Sequence, residues 1–384
     1  MLHSFRLYDV LECLKNWVIN MKFLFKILLV FISILGFFVG YHFKLSRFHN
    51  IEFNLSSEDF AKACRQERTG RIWKEVRLDT VFSIRNYNSN PIFYPLKVYV
   101  DSHGDIYVLD VYTPAVLKFS SRGSFIHKFG KGKGEGPGEF EQPTDFSISP
   151  DGYLYVSDLS THLVSVFDSV GKLIQAIRID GAPGRIVGLF DKKFIVQRFG
   201  IGDMFQKYDI AGNLLISFGK FFKEQNSYAI PIDLKMFFDG RNVYCAFIRG
   251  GYLLSYDVDG QLNYLCETID KFPFPEVKVS QGREKDAKVI RVMLDPDAPV
   301  SALDLSVSDS LIYILAGTAS KKEGAVVIDV YNKFNGKYLF SFKFSKLTDT
   351  EGIQSCVISG GNLYTCEILK GGTTCVRKYR FRIF

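Results

Sequence analysis

Residues 151–177 read DGYLYVSDLSTHLVSVFDSVGKLIQAI, and how this stretch divides decides the organisation of the whole chain. Asp151-Gly152 offers a tight turn, because glycine reaches positive φ without steric cost. An apolar strand opening on aromatic residues follows, Tyr155-Val-Ser-Asp158. A second strand ends in Val166-Phe167-Asp168, and Gly171 turns it into a third, Lys172 to Ile177. Such a meander is too small to be stable by itself, so it must be packed against copies of its own kind.

The copies are present. Comparable strands begin at Tyr107, Tyr155, Phe194, Tyr244, Tyr313 and Tyr364, at intervals of 48, 39, 50, 69 and 51 residues. That spacing holds four short strands and their turns, one blade of a β-propeller. Glycines 123, 171, 212, 260 and 336 recur after the next strand of the first five units. The sixth unit reaches Phe384 with no room for an outer strand, whereas residues 72–84, IWKEVRLDTVFSI, form a lone strand pattern ahead of the first repeat. The expected fold is all-β: a six-bladed β-propeller over residues 72–384, its last blade closed by the N-terminal strand 72–84. Closure of this kind removes an exposed sheet edge.

Composition fits an architecture that grows by repetition. The 384 residues exceed the usual single domain, and 36 Phe, 20 Tyr and 32 Gly suit many short strands joined by tight turns. A net charge of +7 spread along the chain gives nucleic-acid binding little electrostatic support. The seven cysteines form no C-x-x-C pair. Cys366 and Cys375 flank Lys370-Gly371-Gly372 and face each other across a hairpin only in one register. A slip of one residue separates them, and two unpaired strand thiols is the preferred reading.

Residues 23–43, FLFKILLVFISILGFFVGYHF, carry one Lys in 21 positions, long enough to span a bilayer. Lys22 and Lys26 precede the apolar core as in a secretory signal, but no small-x-small cleavage site follows Gly36. The expectation is an uncleaved transmembrane or signal-anchor helix. Residues 1–22 are then a cytoplasmic tail or, since Met21 suits a natural start as well as Met1, an upstream extension. Residues 44–71 serve as a linker. This organisation predicts a cell-envelope protein, membrane-anchored with its propeller on the periplasmic or extracytoplasmic side. Cys64 follows a Lys some twenty residues beyond the apolar run, which argues against lipid attachment.

The segment FGKGKGEGPGEF at 129–140, followed by Gln142-Pro143, Asp151 to Asp158, Val166-Phe167-Asp168 and Gly171, resembles the NHL-repeat type of propeller. The layout is similar to the membrane-anchored or exported six-bladed propellers of Bacteroidota-type bacteria. The resemblance is detailed over residues 118–179 and elsewhere reduces to the aromatic and glycine skeleton. It implies the fold and leaves the function open, because propellers host binders, lyases and lactonases alike.

Glycines 130, 132, 134, 136 and 138 all fall on even positions, which excludes G-x-G-x-x-G, and no Gly-Lys is followed by Ser or Thr. His103, His127 and His162 occupy different phases of the repeat and are not expected to meet in a catalytic or metal site. The repeat does bring together the positions after the second strand of every blade. Those positions and their neighbours give the candidate ligand-binding residues Asp110, Tyr112, Asp158, His162, Arg198, Arg249 and Glu367. Arg forks suit carboxylate or phosphate groups. Asp110 and Asp158 equally suit a local role, accepting the backbone N–H groups of their own turns. An insertion at 268–300 reads as a cap on the ring, a partner contact or a solvated loop. The expected function is a non-enzymatic binding or scaffold propeller for a protein, peptide or glycan, with no cofactor. The alternative is a metal-dependent lactonase- or lyase-type enzyme using calcium or zinc.

Overall fold

The computed structural model describes residues 49–51, 63–199, 202–221, 232–275, 277–284, 287–346 and 348–384. The expected tail (1–22) and membrane helix (23–43) lie outside the described residues, as does most of the linker. Among the described residues no helix is long and apolar enough to cross a membrane.

Six antiparallel sheets follow one another along the chain. Blade one comprises Pro95–Val100, Ile106–Asp110, Ala115–Phe119 and Phe125–Phe129; blade two comprises Pro143–Ile148, Leu154–Asp158, Leu163–Phe167 and Leu173–Arg178. Blade three is Ala182–Gly188, Phe194–Phe199, Phe205–Tyr208 and Leu214–Phe218; blade four is Leu234–Phe238, Asn242–Phe247, Tyr252–Asp257 and Leu262–Glu267. Blade five is Ala302–Ser308, Leu311–Ala316, Val326–Asn332 and Tyr338–Phe344. Blade six takes Thr350–Ser359, Asn362–Leu369 and Thr374–Ile383 from the C-terminal end and Val76–Ile84 from the N-terminal side. The turns are set by residues that need positive φ: at Gly171 (φ 87°) a Cβ would strike the His127 ring at 1.8 Å.

Each seam between neighbouring blades has its own apolar core. Phe129, Phe140 and Phe146 fill the seam of blades one and two, Tyr155, Ile177 and Phe194 that of two and three, and Phe205, Leu234 and Phe247 that of three and four. Tyr244, Leu305 and Tyr331 join four to five, and Ile328, Phe342 and Tyr379 join five to six. The sixth seam, Ile84, Val98, Phe119, Tyr364 and Val376, joins blade six to blade one, so the ring is closed. The chain is therefore a six-bladed β-propeller. Burying each large side chain contributes roughly 1.5–3 kcal/mol, and six separate cores replace the single core that so long a chain would not sustain.

Two details differ from the sequence reading. The pattern at 72–84 is shared between blades: Trp73–Lys74 runs parallel to Ser341-Phe342 on the outer edge of blade five, and Val76–Ile84 pairs antiparallel with blade six. Residues 63–71, read as part of a linker, form a strap across blades four and five. Gln66 donates to the carbonyls of Glu267 and Gly336 and accepts from Tyr338 N–H. Arg71 forks onto Asp329 at 2.8 Å and reaches Asp270 at 2.7 Å. Polar side chains that suggest a solvated spacer are here consumed by groups distant in sequence. Cys366 lies opposite Val376 and Cys375 opposite Glu367, so the two thiols point to opposite faces of the sheet and are both free and buried.

Part of the 268–300 insertion is strand: Val277–Glu284 and Ala287–Leu294 join His49–Ile51 in a separate three-stranded sheet.

Candidate functional site

Strands alternate in direction, so the loop after every second strand and the connection entering every first strand emerge on one face. On that face Asp110 and Asp158 occupy equivalent positions and make equivalent bonds. Asp110 is fully buried and accepts the N–H groups of Phe93 (2.9 Å), Tyr94 (3.1 Å), Tyr112 (3.1 Å) and Thr113 (3.4 Å). Asp158 accepts those of Glu141 (2.7 Å), Gln142 (3.0 Å), Ser160 (3.1 Å) and Thr161 (3.1 Å). Each carboxylate staples the incoming connection to the loop beside it. These acids hold backbone and present their neighbours.

What blade one presents is aromatic. Tyr112 is 70% exposed, Phe93 44% and Tyr94 38%, and the Phe93 and Tyr112 rings lie 5.2 Å apart at 39°. Beside them on blade two are exposed Gln142, Ser160 and His162, with Ser160 donating to Gln142 at 2.8 Å and His162 held at φ 58°. Phe93 and Tyr94 escaped the sequence reading because they precede the first strand and have no counterpart in the repeat; the aromatic pair ahead of Pro95 was the available signal.

The remaining candidates are engaged elsewhere. Arg198 donates to the carbonyls of Asp203 (3.1 Å) and Asp180 (3.3 Å), and Arg249 to those of Ala298 (3.4 Å) and Pro296 (3.3 Å). Glu367 is fully buried and accepts from Thr350, Thr365, Tyr379 and Arg377, all within 2.7 Å. The structure thus brings Tyr112 and His162 to an open surface, leaves Asp110 and Asp158 beneath it, and gives Arg198, Arg249 and Glu367 internal partners. His103 sits in the turn between the first two strands of blade one, on the opposite face, and His127 packs edge-on against Phe129 at 4.8 Å. Among the described residues no group of three or more His, Cys, Asp or Glu is placed to hold a metal ion.

The hub carries a second polar set that the sequence reading missed. Equivalent positions of the inner strands hold Lys97, Asp145, Lys235, Asp304 and Ser355, with Arg185 in the bulge of blade three. Lys97 bonds Asp145 at 2.6 Å, Arg185 forks onto Asp233, and Asp304 accepts from Ser355, which itself accepts Val98 N–H at 3.1 Å. All these bonds cross from blade to blade. The cavity left beside them is about 20 Å³, room for about one water and not for a sugar ring.

Lys235 sits in the ladder opposite Ala246, but its side-chain amine makes no hydrogen bond or ion pair among the described residues. Burial, and then the charge of Arg185, push its pKa below the ordinary lysine value against the pull of Asp304, Asp233 and Asp145. With the folded pKa lowered, the unfolded chain binds more protons, and stability rises with pH up to the unfolded value of about 10.4. Lys235→Met should therefore raise the thermal midpoint at pH 7, by an amount that shrinks as pH approaches 10. Thermal scans of the two proteins across that range check this, and a lower midpoint for the variant would reveal a partner for the amine.

A family model described as a 6-bladed beta-propeller matches residues 85–242. No curated protein matches the chain. Among solved structures, the chain is similar to a putative exported protein from Bacteroides fragilis NCTC 9343, at 9% identity and TM-score 0.52, over 84% of this chain and 99% of that one. It is similar also to a member of the DUF4221 family from Bacteroides vulgatus ATCC 8482, at 12% identity and TM-score 0.52, over 82% and 99%. Virginiamycin B lyase from Staphylococcus aureus aligns with TM-score 0.49 at 9% identity, over 80% and 99%. At these identities the likeness is one of fold alone.

Proposed function

We propose that this chain is a non-enzymatic binding propeller, NHL-like in its repeat, anchored in the cell envelope by residues 23–43 with the propeller on the extracytoplasmic side. Its ligand, a protein, peptide or glycan, is taken on the loop face of blades one and two. The observation that carries this reading is the exposed Phe93, Tyr94 and Tyr112 platform, whose backbone is fixed from below by the buried Asp110. Large apolar rings left in water on a rigid support mark a recognition surface, since aromatic groups provide much contact area for little conformational entropy. Gln142, Ser160 and His162 supply hydrogen-bonding groups at its edge.

The test is capture of ligands from an array of envelope glycans and peptides by the purified chain. Tyr112→Ala should weaken retention about tenfold and Phe93→Ala/Tyr112→Ala further, with thermal midpoints nearly unchanged. Undiminished capture by the double variant would remove the platform from the site. Turnover of a lactone by metal-loaded protein would replace this reading with an enzymatic one.

A further inference from the structure

The strap enters the propeller at a cysteine that lies in register with another. Cys64 N–H donates to the Leu265 carbonyl at 2.8 Å and Glu267 N–H to the Cys64 carbonyl at 2.9 Å, a parallel bridge that sets Cys64 directly opposite Cys266. Residues so paired point to the same side from backbones about 4.8 Å apart, inside the range of about 4.4–6.8 Å that a disulfide spans. The in-register bridge puts both side chains on one side of the paired backbones; the Cys266 thiol is buried and donates to the Asn335 carbonyl at 3.2 Å, and the Cys64 thiol lies 3.9 Å from the Arg65 carbonyl. Cys64 is half-buried and so remains open to a reagent.

We propose that Cys64 and Cys266 form a disulfide that fastens the strap to the outer strand of blade four. This rests on the extracytoplasmic address proposed above, because disulfides persist in oxidising compartments. The oxidant is a disulfide-bearing thiol oxidant such as oxidised glutathione. The Cys64 thiolate attacks one of its sulfurs and releases the first thiol; the Cys266 thiolate then displaces the second from Cys64. Two protein thiols give up two protons and two electrons, one S–S bond forms, and the oxidant's disulfide becomes two thiols. The cross-link lies between the expected anchor at 23–43 and the closing strand at 76–84. Tension from the membrane is then delivered to blade four and spares the strand that shuts the ring.

The experiment treats the full chain in detergent with oxidised glutathione, blocks free thiols with maleimide and maps peptides without reduction. The expected result is one cross-linked peptide pair carrying Cys64 and Cys266, lighter by two hydrogens, with both residues unlabelled. The thermal midpoint should rise by a few degrees on oxidation in the native chain and not in Cys64→Ser or Cys266→Ser. Maleimide on both residues after oxidation, or a bond from Cys64 to another cysteine, overturns the pairing. The same map on protein trapped in cells with acid and alkylating reagent tests the address separately. A pair that oxidises in detergent yet is fully reduced in cells refutes the extracytoplasmic location and leaves the geometry standing.

Discussion

Glu367→Ala is expected to lower folding stability by about 3–5 kcal/mol, as removal of one partner from a buried ion pair does elsewhere. Glu367 lies on the second strand of blade six, and its side chain and that of Arg377 are 1% and 3% exposed. Burial alone would lower the Arg377 pKa, but its hydrogen bond to Asp349 and the charge of Glu367 raise it above the ordinary value, so the guanidinium is charged at every working pH. Alanine would leave that charge with Asp349, at 2.6 Å, as its one remaining carboxylate and would strand the buried Nη1 side of the fork, together with the hydroxyls of Thr350, Thr365 and Tyr379 that now donate to Glu367. Glu367→Gln keeps acceptor capacity and should cost less. Urea unfolding of the three proteins measures both differences, and a loss below about 1 kcal/mol for alanine would show that the cluster is hydrated or rearranged.

A larger effect is expected from a chain lacking residues 72–84. Val76–Ile84 supplies the outer strand of blade six, pairing from Val76 opposite Ile383 to Ile84 opposite Val376. Its apolar residues Val76 and Leu78 pack into the seam of blades five and six, and Phe82 and Ile84 into the seam of six and one. At roughly 1.5–3 kcal/mol for each fully buried side chain, discounted for those only partly covered, the loss approaches the whole stability of a typical domain. It also bares a ten-residue strand edge, Thr374–Ile383, that invites pairing between molecules. The expected product is an aggregating chain without a cooperative transition, rescued by a synthetic 72–84 peptide. A monomer with an unchanged midpoint would show that blade six is stable as three strands.

The features legible in the sequence were those that repeat. Tyr107, Tyr155 and their four equivalents mark the second strand of each sheet, and glycines such as Gly171 mark positions where a side chain does not fit. Six sheets could be counted because seam packing asks the same of every unit. Three features were not legible, each for a physical reason. The hub set of Lys97, Asp145 and Asp304 depends on register shifts in five of the six inner strands, and a bulge leaves no trace in a hydropathy pattern. The strap was hidden because Gln66 and Arg71 look solvated until Gly336, Asp270 and Asp329 are brought to them by the fold. Phe93 and Tyr94 were hidden because a recognition surface belongs to one blade, and a search for what all blades share discards it. Among the candidates, the acids at 110 and 158 were found by phase, but phase alone could not show that their oxygens face inward.

Joining Val76–Ile84 to Thr374–Ile383 also bears on how the molecule comes to exist. Synthesis delivers residue 76 well before its partner at 383, roughly three hundred residues later, so the first blade-forming strand waits unpaired through the making of nearly everything it will touch. Such distant pairing is slow, and the waiting strand is open to wrong partners in the meantime. The ring cannot shut on a half-made chain. Native closure therefore falls at the end of synthesis, once the last strand has arrived.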